Sequence, residues 1–263
     1  MIRLACLGDN CVDYYDETET GMFGGNPVNV AVYARRMGHV SSYLGAVGTD
    51  SFGCGMTEAL KAKGVDISHV QIKDGKTALT HVTVRDGDRV FGDFEEGVMA
   101  DFSLREEDFA FIGEHSLAVS GIWGHCENDL GRIREMGIPV AFDCSDQLDD
   151  PRALQAIRNS DSSFFSDDKS TDEVLEQKIR EIREEGPELV VATRGERGSL
   201  AFDGSEFVRC GIIPCEVVDT MGAGDSFIAG FLCARLSGKA LKECMEAGAE
   251  QSVITLSYSG AWK

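Results

Sequence analysis

Residues 219–230 read D-T-M-G-A-G-D-S-F-I-A-G, and few stretches restrict a fold as tightly. Val217 and Val218 read as the end of a strand, while Phe227, Ile228, Phe231 and Leu232 recur at the spacing of an amphipathic helix. Gly222, Ala223 and Gly224 then form the strand-to-helix turn. A helix start leaves several backbone N–H groups without intrahelical partners, and the helix dipole adds a positive field there. With two glycines and an alanine, no side chain keeps an anion away from those groups, so the turn is expected to hold negative charge. Asp225, at the end of this anion hole, is placed to accept a proton from an incoming hydroxyl and reads as a general base. A glycine-rich turn can also serve only to pack a helix on a sheet, but the full spacing is far more specific than that.

Other phosphate and nucleophile motifs fail on single positions. Gly75-Lys76-Thr77 has the ending of a P-loop, but the first glycine that such a loop needs is Val70. A dinucleotide fingerprint starting at Gly222 would put its third glycine on Phe227. A nucleophile elbow around Ser226 would need a glycine where Ile228 stands.

Along the rest of the chain, short apolar runs alternate with helical patterns. Residues 2–7 form a buried first strand. Asn26 before Pro27 reads as a helix N-cap. A strand over 41–47 and a helix over 52–63 closed by Gly64 follow. Residues 77–84 and 89–91 flank an Asp-Gly turn, an antiparallel hairpin inserted in an otherwise alternating pattern. Ser103 and Glu106 read as a capping box. Beyond residue 116 strands are expected at 116–122, 139–142, 163–165 and 189–192. Helices are expected at 128–135, after Pro151, at 171–185 and at 241–256. A second hairpin joins 199–202 to 206–210. This order implies a three-layer α/β/α sandwich in a single domain over 1–263, with ligands at the carboxyl ends of the strands.

The formal charge of -20 is expected to repel nucleic acid and anionic membranes. Nine scattered cysteines without a C-x-x-C pair read as reduced thiols, and no metal-ligand spacing is found among the five histidines. With no signal peptide or membrane-length apolar span, the expected location is the cytoplasm.

Residues 219–230 resemble the second signature of the PfkB, or ribokinase-like, carbohydrate kinases. The first signature is matched by Gly24-Gly25-Asn26-Pro27-Val28-Asn29, the run to Gly38, and Gly45-Ala46-Val47-Gly48-Thr49-Asp50 with Gly53. The resemblance covers residues 8–262. It implies a ribokinase-like fold with a small β-sheet lid, contributed mainly by about 70–95 and also by 10–23. It implies phosphoryl transfer from ATP with Mg²⁺, and it admits a monovalent cation such as K⁺. Asp225 would be the base, with Gly222, Ala223 and Gly224 stabilising the transferred group. Thr193, Gly195 and Gly198 would meet the nucleotide together with Gly222 and Gly224. Arg194 either screens phosphate charge or is solvated, and residues 249–261 would lie near the adenine.

On the acceptor side the resemblance puts a sugar-hydroxyl contact at Asp13, and Asp9, Asn10, Gly25, Asn26 and Asn29 complete the expected set. Residues 9–13, 24–38, 88–102, 122–125 and 258–262 narrow the resemblance to kinases of sugar-amines. Acidic Asp93, Glu95 and Glu96 would then meet ammonium groups, and Arg89 a carboxylate. A fructokinase, or a binding protein without turnover, stays open as an alternative. The N-x-x-E element of many members is replaced by Ser166-Asp167-Asp168-Lys169, so the metal ligands are left unassigned, with Asp167, Asp168 and Glu173 as substitutes. A homodimer through the lid is implied by the resemblance alone.

Overall fold

The alternating pattern folds as alternating strands and helices. The computed structural model describes residues 1–85 and 88–263, and their side chains except those of residues 84–91. In chain order the strands are β1 (Arg3–Leu7), β2 (Cys11–Tyr15), β3 (Thr20–Gly24), β4 (Val40–Leu44), β5 (Ala46–Gly48), β6 (Gln71–Lys73), β7 (Leu79–Arg85), β8 (Asp88–Glu95), β9 (Leu117–Gly121), β10 (Val140–Asp143), β11 (Ser162–Ser166), β12 (Leu189–Thr193), β13 (Ser199–Phe202) and β14 (Phe207–Cys210). The helices are α1 (Asn26–Arg36), α2 (Ser51–Ala62), α3 (Glu106–Ile112), α4 (Leu130–Glu135), α5 (Pro151–Arg158), α6 (Asp172–Glu184), α7 (Ala223–Leu236) and α8 (Leu241–Leu256).

Eight strands form the large sheet, in the order β14-β13-β12-β11-β10-β9-β1-β4. From β4 to β12 they run parallel, and β13 and β14 return antiparallel at one edge. Nearly wholly buried strands such as β9 and β12 need cover on both faces, and they have it. Tyr33, Met56, Phe227, Phe231 and Met245 of α1, α2, α7 and α8 fill one side. Phe109, Ile133, Ile157, Leu175 and Ile179 of α3 to α6 fill the other. This is the α/β/α sandwich, with two cores separated by the sheet.

A second sheet of four strands has the order β3-β2-β7-β8. Its two hairpins, β2–β3 and β7–β8, are antiparallel, and they meet at a parallel seam that pairs Val12 with Leu79 and Tyr15 with Val82. The expected Asp86-Gly87 turn lies outside the described residues. Residues 71–73 do not join this sheet; β6 pairs with β5 in a separate ribbon.

Several local expectations are overturned. Val217 and Val218 are not a strand: they are exposed, and the Val218 N–H donates to the Leu256 carbonyl at the end of α8. The run expected at 41–47 is broken at Gly45 into β4 and β5. Helix α7 is not amphipathic, because residues 226–233 are all buried between the sheet and α8. Gly25, not Asn26, is the N-cap of α1, with no side-chain cap bond. At α3 the capping acceptor is Asp108, which takes the Arg105 N–H at 2.8 Å, in place of the Ser103–Glu106 box.

Candidate active site

Parallel strands end on the same edge of the sheet, so polar residues just past those ends converge. Asp9 lies two residues beyond β1, Asp143 is the last residue of β10, and Thr193 is the last residue of β12. Helix α7 starts above this edge and presents Asp225 in its first turn. Helix α1 approaches from the side and brings two amides. Asn26 Nδ2 donates to Asp225 Oδ1 at 2.7 Å and to Asp143 Oδ2 at 2.8 Å. Asn29 Nδ2 donates to Asp225 Oδ2 at 2.6 Å. Both carboxylate oxygens of Asp225 are thus held by amides three residues apart on one face of α1.

Burial pushes the Asp225 carboxyl above its ordinary range, and the amides of Asn29 and Asn26 hold part of that rise back. Asp9 is pushed up to about 7, first by burial and further by the negative charge of Asp225, against a lowering from the Asn26 N–H that donates to its Oδ2 at 3.1 Å. Asp143 also rises to about 7, through burial and then repulsion from Asp225. Three carboxylates, Asp9 buried and Asp143 and Asp225 partly so, therefore share one site. A raised Asp225 is a stronger base than an ordinary aspartate.

The anion side is a cavity of about 200 Å³ whose lining includes Asp143, Ser166, Thr193, Gly222, Gly224 and Asp225. Gly222 caps α7 with φ +72°, and a Cβ there would lie 2.2 Å from the Tyr33 hydroxyl. A Cβ on Gly224 would meet nothing within 4 Å. The Ala223 N–H is given to the Thr220 carbonyl at 3.2 Å, and the first bond of the helix runs from the Ser226 N–H to the Gly222 carbonyl at 2.8 Å. Gly224 and Asp225 thus have N–H groups without a carbonyl four residues back inside the helix. The turn itself is braced by Asp219, whose carboxylate accepts from the Met221 N–H at 2.8 Å and the Gly260 N–H at 2.9 Å.

Of the five residues expected on the nucleotide, Thr193, Gly222 and Gly224 line this cavity, while Gly195 and Gly198 do not. They shape the 3-10 turn Gly195–Arg197, where Gly198 has φ +80° and lies against the Cys210 carbonyl. Arg194 is neither solvated nor turned to the cavity: it is 4% exposed, with Nη1 2.7 Å from Asp172 Oδ1 and Nη2 donating to the Ser170 carbonyl.

Several residues expected on the acceptor have other work. Asn10 donates both amide hydrogens inward, to the Tyr43 hydroxyl at 2.9 Å and the Ala46 carbonyl at 2.6 Å. Asn29 spends its oxygen as well as its nitrogen, because Oδ1 accepts from Trp262 Nε1 at 2.8 Å. Gly25 is wedged against Asn10, where a Cβ would meet the Asn10 Cα at 2.6 Å. Asp9, Asn10 and Asn26 each keep a buried oxygen, Oδ1 in all three, with no partner among the described residues. Buried acceptors of this kind call for a donor such as a hydroxyl. Asp13 is half-buried on β2, between Met22 and Thr80.

Arg89 lies outside the described side chains. Glu95 is 3.3 Å from Lys76 Nζ and 3.5 Å from His81 Nε2, and Glu96 pairs with His125, so both acids have partners within the chain, while Asp93 is exposed. Among the described residues no group of three or more His, Cys, Asp or Glu side chains is placed to hold a metal. Asp167 is held by Lys178 at 2.7 Å and by the Ser170 hydroxyl at 2.7 Å, which does not leave it as a ready metal ligand.

Asp143 and Trp262 join this network without having been named as site residues from the sequence. Asp143 had a signal: a carboxylate directly after an apolar strand, as at Asp9. Trp262 lay in the run 258–262 that carries the resemblance, but nothing in the sequence marked its contact, which joins positions 233 residues apart.

A family model described as pfkB family carbohydrate kinase matches residues 2–262. The chain is 45% identical over 262 residues to fructoselysine 6-kinase of Shigella flexneri and 44% identical to that of Escherichia coli (strain K12), covering all of each. It is 32% identical to fructosamine kinase FrlD of Bacillus subtilis (strain 168), over 99% of this chain and 93% of that one. Among solved structures, Arabidopsis thaliana ribokinase complexed with ribose and ATP superposes with a TM-score of 0.87 at 21% identity, over 98% of this chain and 93% of that one. Thermotoga maritima ribokinase gives 0.82 at 18% identity, over 99% and 94%. These likenesses show a ribokinase-like fold. With the strand-edge carboxylates, the glycine turn and the full-length match to the family model, the chain belongs to the pfkB family of carbohydrate kinases.

Proposed function

We propose that this kinase phosphorylates fructoselysine at its terminal hydroxyl, using ATP and giving fructoselysine 6-phosphate and ADP. The chemistry rests on one observation above the others: Asp225 is held by two amides at the start of α7, beside a cavity walled by Gly222 and Gly224. The acceptor rests on the full-length identity to the two fructoselysine 6-kinases.

In this reading Asp225 takes the proton of the acceptor hydroxyl as its oxygen bonds to the γ-phosphorus, and the bond from that phosphorus to the bridging oxygen breaks toward ADP. The turn at Gly222, Ala223 and Gly224 stabilises the charge on the transferred group, with the Gly224 N–H foremost because the Ala223 N–H is shared with Thr220. Thr193 meets the nucleotide phosphates. Asp9 and Asn26 offer their unpartnered oxygens to sugar hydroxyls, with Asp13 as a further contact. Mg²⁺ would supply charge neutralisation on the nucleotide phosphates, and no protein ligand is assigned to it. The small sheet acts as a lid, the active unit is a homodimer joined through it, and nine free thiols suit a cytoplasmic home.

The test is ADP formation with Mg²⁺ across fructoselysine, other fructosamines, fructose and ribose, with and without K⁺. Turnover is expected to be strongest on fructoselysine and to fall about a thousandfold or more in Asp225→Asn. A preference for free fructose would discard the acceptor and keep the mechanism; no turnover on any sugar would discard both.

A further inference from the structure

Asp225 is oriented by Asn29, but an amide can face a carboxylate with either end, and only the nitrogen end helps. We propose that Trp262 is a positioning residue for the base: its indole N–H holds Asn29 Oδ1 and so commits Nδ2 to Asp225. The inference rests on Asp225 acting as the base.

The indole nitrogen can only donate, so the atom 2.8 Å from it must be an acceptor. That fixes Oδ1 toward Trp262, and the opposite end of the same amide, Nδ2, then lies 2.6 Å from Asp225 Oδ2. If the indole donor is removed, the amide is free to turn its oxygen to Asp225. A stabilising donor then becomes a repelling acceptor beside a partly buried carboxylate. Burial already raises the Asp225 carboxyl and Asn29 lowers it, so loss of the lock raises it further. The other titratable groups facing Asp225 are Asp143 on β10, Asp9 beyond β1 and the Tyr33 hydroxyl on α1. None of them receives the indole N–H.

Trp262 also leans on the small sheet. Its ring stacks on Phe23 of β3 with centroids 6.5 Å apart and planes 26° from parallel. The contact places a strand of the proposed lid two side chains from the base, through Trp262 and Asn29.

The experiment compares Trp262→Phe, which keeps an aromatic ring against Phe23, with Trp262→His, which keeps a ring N–H. Asp225→Asn is the control, and thermal melting follows each variant. Trp262→Phe is expected to lower kcat roughly tenfold, leave the KM for sugar within about twofold, and move the acid limb of the pH profile to higher pH. Trp262→His is expected to recover most of kcat and to return the limb. Equal impairment in both variants with an unmoved acid limb would overturn the inference and make the ring a packing element. Wild-type kcat in Trp262→Phe alongside an inactive Asp225→Asn would overturn it too, leaving the base intact. Wild-type kcat in Asp225→Asn would overturn the base itself.

Discussion

Asp9, Asp143 and Asp225 place three carboxyl groups where burial opposes charge on each of them. A group whose folded pKa is raised contributes stability that is fully present below its unfolded value and is lost as pH rises through its folded value. For Asp9 and Asp143 that window runs from the ordinary aspartate range up to about 7. The melting temperature is therefore expected to drop by on the order of a few °C between pH 5.5 and pH 8 through this pair. Asp143→Asn removes one member and should flatten the drop, as differential scanning calorimetry at the two pH values will read. An unchanged difference between wild type and variant would argue against the shared burden. Asp225 and Asp9 were legible in the sequence, one from its motif and one from its place after an apolar strand. The task of Asn29 was not, since its partner Asp225 lies 196 residues away and the meeting depends on how α1 and α7 pack.

At the level of an element, the start of α7 separates two glycines that look alike in the motif. Gly222 has a left-handed backbone and no room, with the Tyr33 hydroxyl and Ala261 against it. Gly222→Ala is expected to destabilise the fold by about 1–3 kcal/mol. Gly224 is helical and faces open space, so alanine there costs the fold nothing and gains up to about 1 kcal/mol of helix propensity. The new methyl instead stands where phosphate is proposed to lie. Gly224→Ala is expected to keep or raise the melting temperature while the KM for ATP rises at least about tenfold; a normal KM for ATP would show that phosphate does not approach this turn. The alternation that set the element order was plain in the sequence, as were hairpins marked by Asp-Gly. Less plain were features decided by neighbours. Residues 226–233 look amphipathic only until α8 covers their outer face, and Val217 and Val218 look like a strand although no strand lies beside them.

For the whole molecule, the acidic surface and the small sheet pull in different directions. A charge of -20 favours separate chains, yet β3 and β8 end the small sheet with no further strand beside them among the described residues. Edge pairing between two copies would satisfy those ladders, and salt would assist it by screening the charge. Sedimentation equilibrium is expected to give twice the 28.5 kDa chain mass, and a single-chain mass across protein and salt concentrations would remove the dimer. The small sheet has one more property. At the β2–β7 seam no turn ties the two hairpins, and the chain between them passes through α1, β4, β5, α2 and β6 before Leu79 reaches Val12. Pairing of that kind waits for a large loop to close. The two hairpins can each form early by themselves, but the surface they make together exists only once the chain between them, which carries β4 of the large sheet, has closed. Refolding would then restore bulk structure before it restores turnover, and the delay between the two would time the closing of that seam.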